Sequence, residues 1–343
     1  MRRVEVHDAI GQILGHDVTE IAVDAAAGRK RKQVAFRRGH VIAAEDIPRL
    51  LDLGKTAIYV SDPDSNEMHE DDAALAVAPR AAGTHIEHDT QPREGKINFR
   101  AACDGVFRVD PERLYRINRL EVPTLVTLPT NFPVRKGTQV AGFRIVPLTC
   151  DPAIIDQVLH ELDTPLLSVA PYVLRTAAVL VTGSEVYEGR IKDGFQPRLR
   201  RTLEPFGVRV TLGEILPDDR KRIAEAVTKA ARECDIVFVT GGTSVDPDDV
   251  TVAAMADAGA VFAVRGMPMQ PGNNFTIGAV GDTPVCAVPA ATLFHRATSL
   301  DVLLPRLLAR VPITAEDIHR LGHGGLAQPT CDDHFPDCTF GIG

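Results

Sequence analysis

Two glycine turns stand where an anion could be held: Thr182-Gly183-Ser184-Glu185 and Thr240-Gly241-Gly242-Thr243-Ser244. Glycine lets backbone N–H groups approach a ligand oxygen without a Cβ in the way. The Ser and Thr hydroxyls add donors. A turn of this kind between a strand end and a helix start cradles anions, phosphates above all. Two in one chain suggest one ligand held between neighbouring strand ends. Ordinary tight turns are the other reading of the same residues. Neither turn has the lysine of a Walker loop and neither reads G-x-G-x-x-G, so the ATP and dinucleotide fingerprints are both missing.

Carboxylates follow each turn: Glu185 and Asp193 after the first, Asp248 and Asp249 after the second. Acids beside a phosphate repel it unless a cation or an amine-rich ligand intervenes. Mg²⁺ held by Glu185 and Asp249 together with ligand oxygens meets that need. So does a pterin, whose N–H edge donates to an acid. N-capping of the next helix is a competing duty for Asp248 and Asp249. Near the C-terminus, Cys331-x-x-His334-x-x-x-Cys338 has the spacing to reach one soft metal, with His323 as a possible fourth ligand. A glycine-rich segment with unligated thiols is the alternative.

The elements that position these residues read as an α/β pattern. Ala177–Val181 and Asp235–Val239 are buried strands leading into the two turns. Ile191, Phe195, Leu199 and Leu203 step by four along one helix face. Strand 208–212 follows, then a helix capped by Asp218-Asp219 with Ile223, Ala226-Val227 and Ala230 inward. Asp248-Asp249 start another helix, with Val252 and Met255-Ala256 inward and Gly259 as its stop. Strands 260–264 and 285–288 complete the alternation. The expected fold class is α/β, a doubly wound, mostly parallel sheet over residues 171–311.

Upstream, residues 1–70 read as a small α/β module, with an amphipathic stretch at Val6, Ala9-Ile10 and Ile13-Leu14, a helix around Ile47 and Leu50-Leu51, and a strand at 57–60. The acidic run Glu70-Asp71-Asp72 breaks the pattern. Residues 71–150 read as a β-rich module of short strands, interrupted by a helix from Pro111 capped by Asp110. Residues 151–170 read as a helical linker, and 312–343 as a Cys/His-containing tail.

The 343 residues leave room for two or three domains. A net charge of −8, no Trp and 5% aromatic residues argue against nucleic acid as a partner. No apolar run reaches the roughly 18–20 residues of a membrane span, and Met1–Asp8 lacks the apolar core of a signal peptide. A cytoplasmic location with reduced thiols is the expectation. Cys103, Cys150, Cys234 and Cys286 read as buried core residues.

Residues 177–265 resemble the molybdopterin-binding domain of molybdopterin adenylyltransferases and molybdopterin molybdenumtransferases. The stretches that carry the resemblance are V-L-V-T-G-S-E-V, G-R-I-K-D-G, I-L-P-D-D-R-K-R-I-A-E-A, D-I-V-F-V-T-G-G-T-S-V-D-P-D-D-V-T and Pro271-Gly272. The resemblance implies molybdopterin, or its adenylylated or molybdenum-loaded form, as ligand. Its phosphate would lie on Gly241-Gly242, with Thr182, Gly183, Ser184, Thr240, Thr243, Ser244, Asp248, Pro271 and Gly272 around it. Glu185, Asp193 and Asp249 match the acidic catalytic positions of the transferase site. It further implies a homo-oligomer and one of two roles: molybdate insertion with Mg²⁺, or delivery of the cofactor to an apo-molybdoenzyme. The first 60 residues are similar to the entry of the transferase's first domain. Three positions depart from the transferase pattern. No M-D-G-Y-A segment is present, Asn273 replaces the lysine of P-G-K-P, and Ala287-Val288-Pro289-Ala290-Ala291-Thr292 replaces G-L-P-G-N-P. A counterpart of the transferase's β-rich C-terminal domain is not expected in residues 312–343.

Overall fold

A computed structural model describes residues 1–24, 29–242, 250–328, 336, 338, 340 and 341. The chain divides into two compact units. The first comprises residues 1–100, 109–128 and 138–168; the second comprises 101–108, 129–137 and 169–343.

In the first unit, strand Arg2–Glu5 pairs antiparallel with Ala57–Val60, and Val18–Asp24 pairs with Arg29–Phe36. Val6, Ala9, Leu14, Ile42, Leu50 and Ile58 form their core. The amphipathic stretch expected at Val6–Leu14 is a single 3₁₀ turn, Val6–Ala9. Gly11 ends it at φ +80°, and Ile10 and Ile13 point to solvent. Glu70-Asp71-Asp72 does not break the chain; it opens the helix Glu70–Ala81. His69 caps that helix by accepting the Asp71 N–H, and acids in a first turn offset the helix dipole. Strands Ile97–Ala101, Gln139–Ile145 and Pro123–Thr127 form an antiparallel sheet. Asp110 caps Pro111–Asn118, accepting from the N–H groups of Glu112 and Arg113, as its position before Pro111 predicts. Asp151 caps Pro152–Glu161 in the same way, and strand Leu167–Pro171 follows.

The second unit holds a six-stranded sheet in the order Arg209–Leu216, Thr176–Thr182, Ile236–Thr240, Thr283–Val288, Thr276–Val280, Val261–Arg265. The first four strands are parallel; Thr276–Val280 runs antiparallel to both its neighbours. Strand alternation sends Ala177, Val179 and Val181 into one core and Ala178 and Leu180 into another. Helices Phe195–Leu203 and Ser299–Leu308 cover the first face. Helices Arg220–Glu233 and Thr251–Asp257 cover the second. Helices on both faces of a mostly parallel sheet make the unit a doubly wound α/β fold.

Local readings shift in four places. Ile191 precedes its helix and is exposed, because the helix begins only at Phe195. Thr251, Ala254 and Met255 form the buried face of the 251–257 helix, whereas Ala256 is exposed. Gly259, at φ +87°, ends that helix as expected. The antiparallel strand Thr276–Val280 has no clear signature because Gly278 interrupts it; a Cβ there would lie 3.0 Å from Phe262. Cys150, Cys234 and Cys286 are buried, while Cys103 is only half-buried. Burial pushes the Cys286 thiol up to about 12.

Candidate functional site

The strand at 176–182 connects first to 209–216 on one side, and the chain then crosses to 236–240 on the other. The order therefore reverses between Thr182 and Thr240, the place where doubly wound sheets open a crevice at their carboxyl edge. Both glycine turns leave the sheet there.

The two turns are locked to each other. Thr182 Oγ1 donates to the Thr240 carbonyl at 3.0 Å and lies 3.1 Å from Thr251 Oγ1. Thr251 Oγ1 in turn donates to the Gly241 carbonyl at 2.9 Å. Gly241 has φ +88°, and a Cβ there would lie 2.1 Å from the Thr182 carbonyl oxygen. Only glycine meets both demands, the left-handed backbone and the close approach. Thr251 extends the expected set: it closes the D-P-D-D-V-T stretch, and its hydroxyl links the two turns.

The first turn is already occupied by the protein's own bonds. Gly183 N–H donates to the Leu216 carbonyl at 3.2 Å. Ser184 donates to Asp218 Oδ2 through its N–H at 2.8 Å and its Oγ at 3.0 Å. Asp219, not Asp218, caps the following helix by accepting from Arg222 N–H at 2.9 Å. Asp193 is similarly engaged: its Oδ1 accepts from the N–H groups of Phe195 at 2.7 Å and Gln196 at 3.4 Å, fixing the start of the 195–203 helix. Glu185 is exposed, and its carboxylate folds back over Gly183, 3.3 Å from where a Cβ would be.

Beside the second turn, Thr240 is fully buried and its Oγ1 has no partner among the described residues. Gly242 follows at φ +50°. Thr243, Ser244, Asp248 and Asp249 lie outside the described residues, as do Cys331 and His334. Cys338 is half-buried against the core. Among the described residues no cluster of three or more His, Cys, Asp or Glu could hold a metal ion.

Pro271-Gly272 comes to the same edge by topology. The strand it leads into begins at Thr276, opposite Ala287 near the carboxyl end of its neighbour. Ser299 Oγ donates to the Gly272 carbonyl at 2.6 Å, and a Cβ on Gly272 would lie 2.3 Å from that Oγ. The Pro-Gly pair is thus packed on the start of the 299–308 helix. Thr292, in the loop that departs from G-L-P-G-N-P, is also buried, with no partner for its hydroxyl among the described residues.

Comparison with known proteins covers the same stretch of chain. Residues 178–309 match the family described as "probable molybdopterin binding domain", and residues 3–62 match a domain of unknown function. A molybdopterin molybdenumtransferase of Staphylococcus epidermidis is 29% identical over 124 residues, covering 27% of this chain and 30% of that protein. A CinA-like protein of Desulfosudis oleivorans is 39% identical over 82 residues, covering 24% of this chain and 20% of that protein. The chain spans between 20% and 35% of the length of these curated relatives. The crystal structure of the molybdopterin biosynthesis enzyme MoaB from Thermus thermophilus overlaps 40% of this chain and 99% of that one, at 17% identity and a TM-score of 0.32. Sheet order, not that overlap, defines the fold. No helix among the described residues is long and apolar enough to cross a membrane. With the ordered motifs, the reversal of strand order and the family match over one stretch, residues 178–309 of this chain are a divergent member of the molybdopterin-binding domain family.

Proposed function

We propose that this chain works in molybdenum-cofactor biosynthesis by binding adenylylated molybdopterin at the second glycine turn and inserting molybdate into it. The observation that carries this reading is the lock between the turns. Thr182, Thr240 and Thr251 hold Gly241 against the neighbouring strand end and leave Gly242 at the crevice. The turn's N–H groups would receive the ligand's phosphate oxygens, with the buried Thr240 hydroxyl close beside them. Pro271-Gly272 borders the same edge.

A Mg²⁺ ion needs only one or two carboxylates plus ligand oxygens and waters. Glu185, exposed at the first turn, fits that donor set, with Asp249 as its proposed partner. The ion would neutralise phosphoryl charge. Glu185 would orient it, and the locked turns would fix the phosphate against drift. Asp193, through the helix it caps, would position rather than touch the ligand.

A carrier role that delivers the finished cofactor to an apo-molybdoenzyme is favoured by one observation. Ser184 and Asp193 are committed to internal hydrogen bonds, which leaves fewer groups for turnover. One assay separates the readings. Purified protein is mixed with adenylylated molybdopterin, molybdate and Mg²⁺, and AMP is measured. Insertion requires AMP release that drops at least tenfold in Glu185→Gln. Tight binding with no AMP released in the wild type would contradict insertion and leave the carrier.

A further inference from the structure

A cavity of about 470 Å³ lies within the second unit, built around residues 198–206 of the first-face helix and its exit. Helix 195–203 runs back from the glycine-turn edge, so these residues sit toward the amino edge of the sheet, next to Tyr172 before the 176–182 strand. The cavity is separate from the site described above: none of Thr182 to Glu185, Thr240 to Gly242 or Pro271-Gly272 lines it.

Its chemistry is that of an anion site with an apolar wall. Three guanidiniums, Arg135, Arg198 and Arg201, line it together with two carboxylates, Asp104 and Asp301. Arg198 is committed: it donates to Thr202 Oγ1 at 2.6 Å and to the Thr292 carbonyl at 3.1 Å, and it lies 3.6 Å from Asp301. That pair cancels. Asp104 accepts the Lys136 N–H at 2.7 Å. Arg201, one turn from Arg198 on the same helix face, is exposed and makes no hydrogen bond or ion pair among the described residues. Three guanidiniums against two carboxylates leave the lining one net positive charge.

Tyr172 supplies a second observation. Its residue is 7% exposed, yet its hydroxyl makes no hydrogen bond among the described residues and is not sealed off among the buried unpartnered atoms. It lines the cavity, with Asp104 and Arg135 as its charged neighbours. Burial, then Asp104, pushes the phenol well above its ordinary range, so it stays a donor. Its ring stands edge-on to Phe206 at 90°, with centroids 5.2 Å apart, and the two make an aromatic corner. A volume of this size suits a drug- or nucleotide-sized molecule.

We propose that this cavity is a binding site for a small organic anion with a flat apolar body, its acidic group taken by Arg201 and its body laid against Tyr172 and Phe206. An arginine fork pairs with carboxylate or phosphate in the same way, and the apolar corner separates such ligands from inorganic anions.

Anilinonaphthalene sulfonate, a flat aromatic anion, is the probe. The wild type should bind it at one saturable site per chain. Phenyl phosphate should displace it at a concentration at least fivefold below that of inorganic phosphate. Arg201→Ala should weaken binding at least tenfold and Arg201→Lys less, at unchanged melting temperature because Arg201 is exposed. Gly242→Asp, at the other edge of the sheet, should leave the affinity as it is. Wild-type affinity in Arg201→Ala, equal competition by inorganic phosphate, or loss of the probe in Gly242→Asp would each overturn the proposal.

Discussion

The two glycine turns look alike in sequence and do different work. Both close a buried strand, and both combine glycine with hydroxyl side chains. In the first, the N–H groups of Gly183 and Ser184 are already spent on Leu216 and Asp218. In the second, Gly241 is pressed against the Thr182 carbonyl, and Gly242 follows beside a buried hydroxyl that has no partner among the described residues. One turn is a brace; the other is the cradle we propose. The lesson is that an anion turn needs more than glycines: its N–H groups must be left over after the fold has satisfied itself.

The largest expected effect comes from forcing the turns apart. Gly241→Ala puts a Cβ 2.1 Å from the Thr182 carbonyl oxygen and strains a residue at φ +88°. It should cost about 2–4 kcal/mol from left-handed strain plus overpacking, read by urea unfolding. Gly183→Ala strains its backbone too, at φ +139°, but its Cβ meets only the movable Glu185 side chain, at 3.3 Å, so the overpacking share of the loss should be missing. Equal losses would erase the distinction between the turns. Thr182→Val keeps the shape but strips the donor from the Thr240 carbonyl and the contact with Thr251. A loss of about 1–3 kcal/mol is expected from leaving buried polar groups unpaired, together with weaker pterin binding.

The smallest effect tests the same two strands at their other end. Asp235 Oδ2 accepts from the N–H groups of Arg175 and Thr176 at 2.8 Å each and from Thr176 Oγ1 at 2.9 Å. The Arg175 N–H leads these in holding the carboxyl below its ordinary range. A carboxylate with a depressed folded pKa stabilises above its unfolded value, about 3.9, and loses that contribution as pH falls through the folded value. Asp235→Asn should therefore cost about 1 kcal/mol near neutrality, and its gap to the wild type should close below about pH 4. Pterin binding should stay unchanged, since this brace lies at the edge away from the cradle. A change in binding would mean that the carboxyl edge is not the ligand's edge.

Much of the second unit was legible in the residues. Residues 177–181 and 236–239 of the two central strands are unbroken apolar runs, which fit strands buried on both faces. Asp219 and Gly259 marked helix ends through capping and left-handed backbone, both local effects. What sequence could not show was competition for hydrogen bonds. Ser184 reads as a ligand donor until Asp218, 34 residues away, takes both of its protons. Asp193 matches an acidic position of the transferase site, and the start of its own helix takes up one of its two oxygens. In the first unit, the acidic run at Glu70 interrupts the apolar pattern, yet acids carry the favoured sign for a helix start. The cavity beside Arg201 had no sequence signal, since its lining comes from separate segments between residues 104 and 336.

The most direct test of the account compares two nearly isosteric variants at the open turn. Gly242 has φ +50°, a conformation that Asn and Asp both tolerate. Protein is purified as Gly242→Asn and as Gly242→Asp, and bound molybdopterin per chain is measured by pterin fluorescence after acid iodine oxidation. If the second turn holds the pterin's phosphate, the added carboxylate should lower occupancy at least tenfold relative to asparagine, at matching melting temperatures. Equal occupancy in the two variants would contradict the claim that this turn is the phosphate cradle.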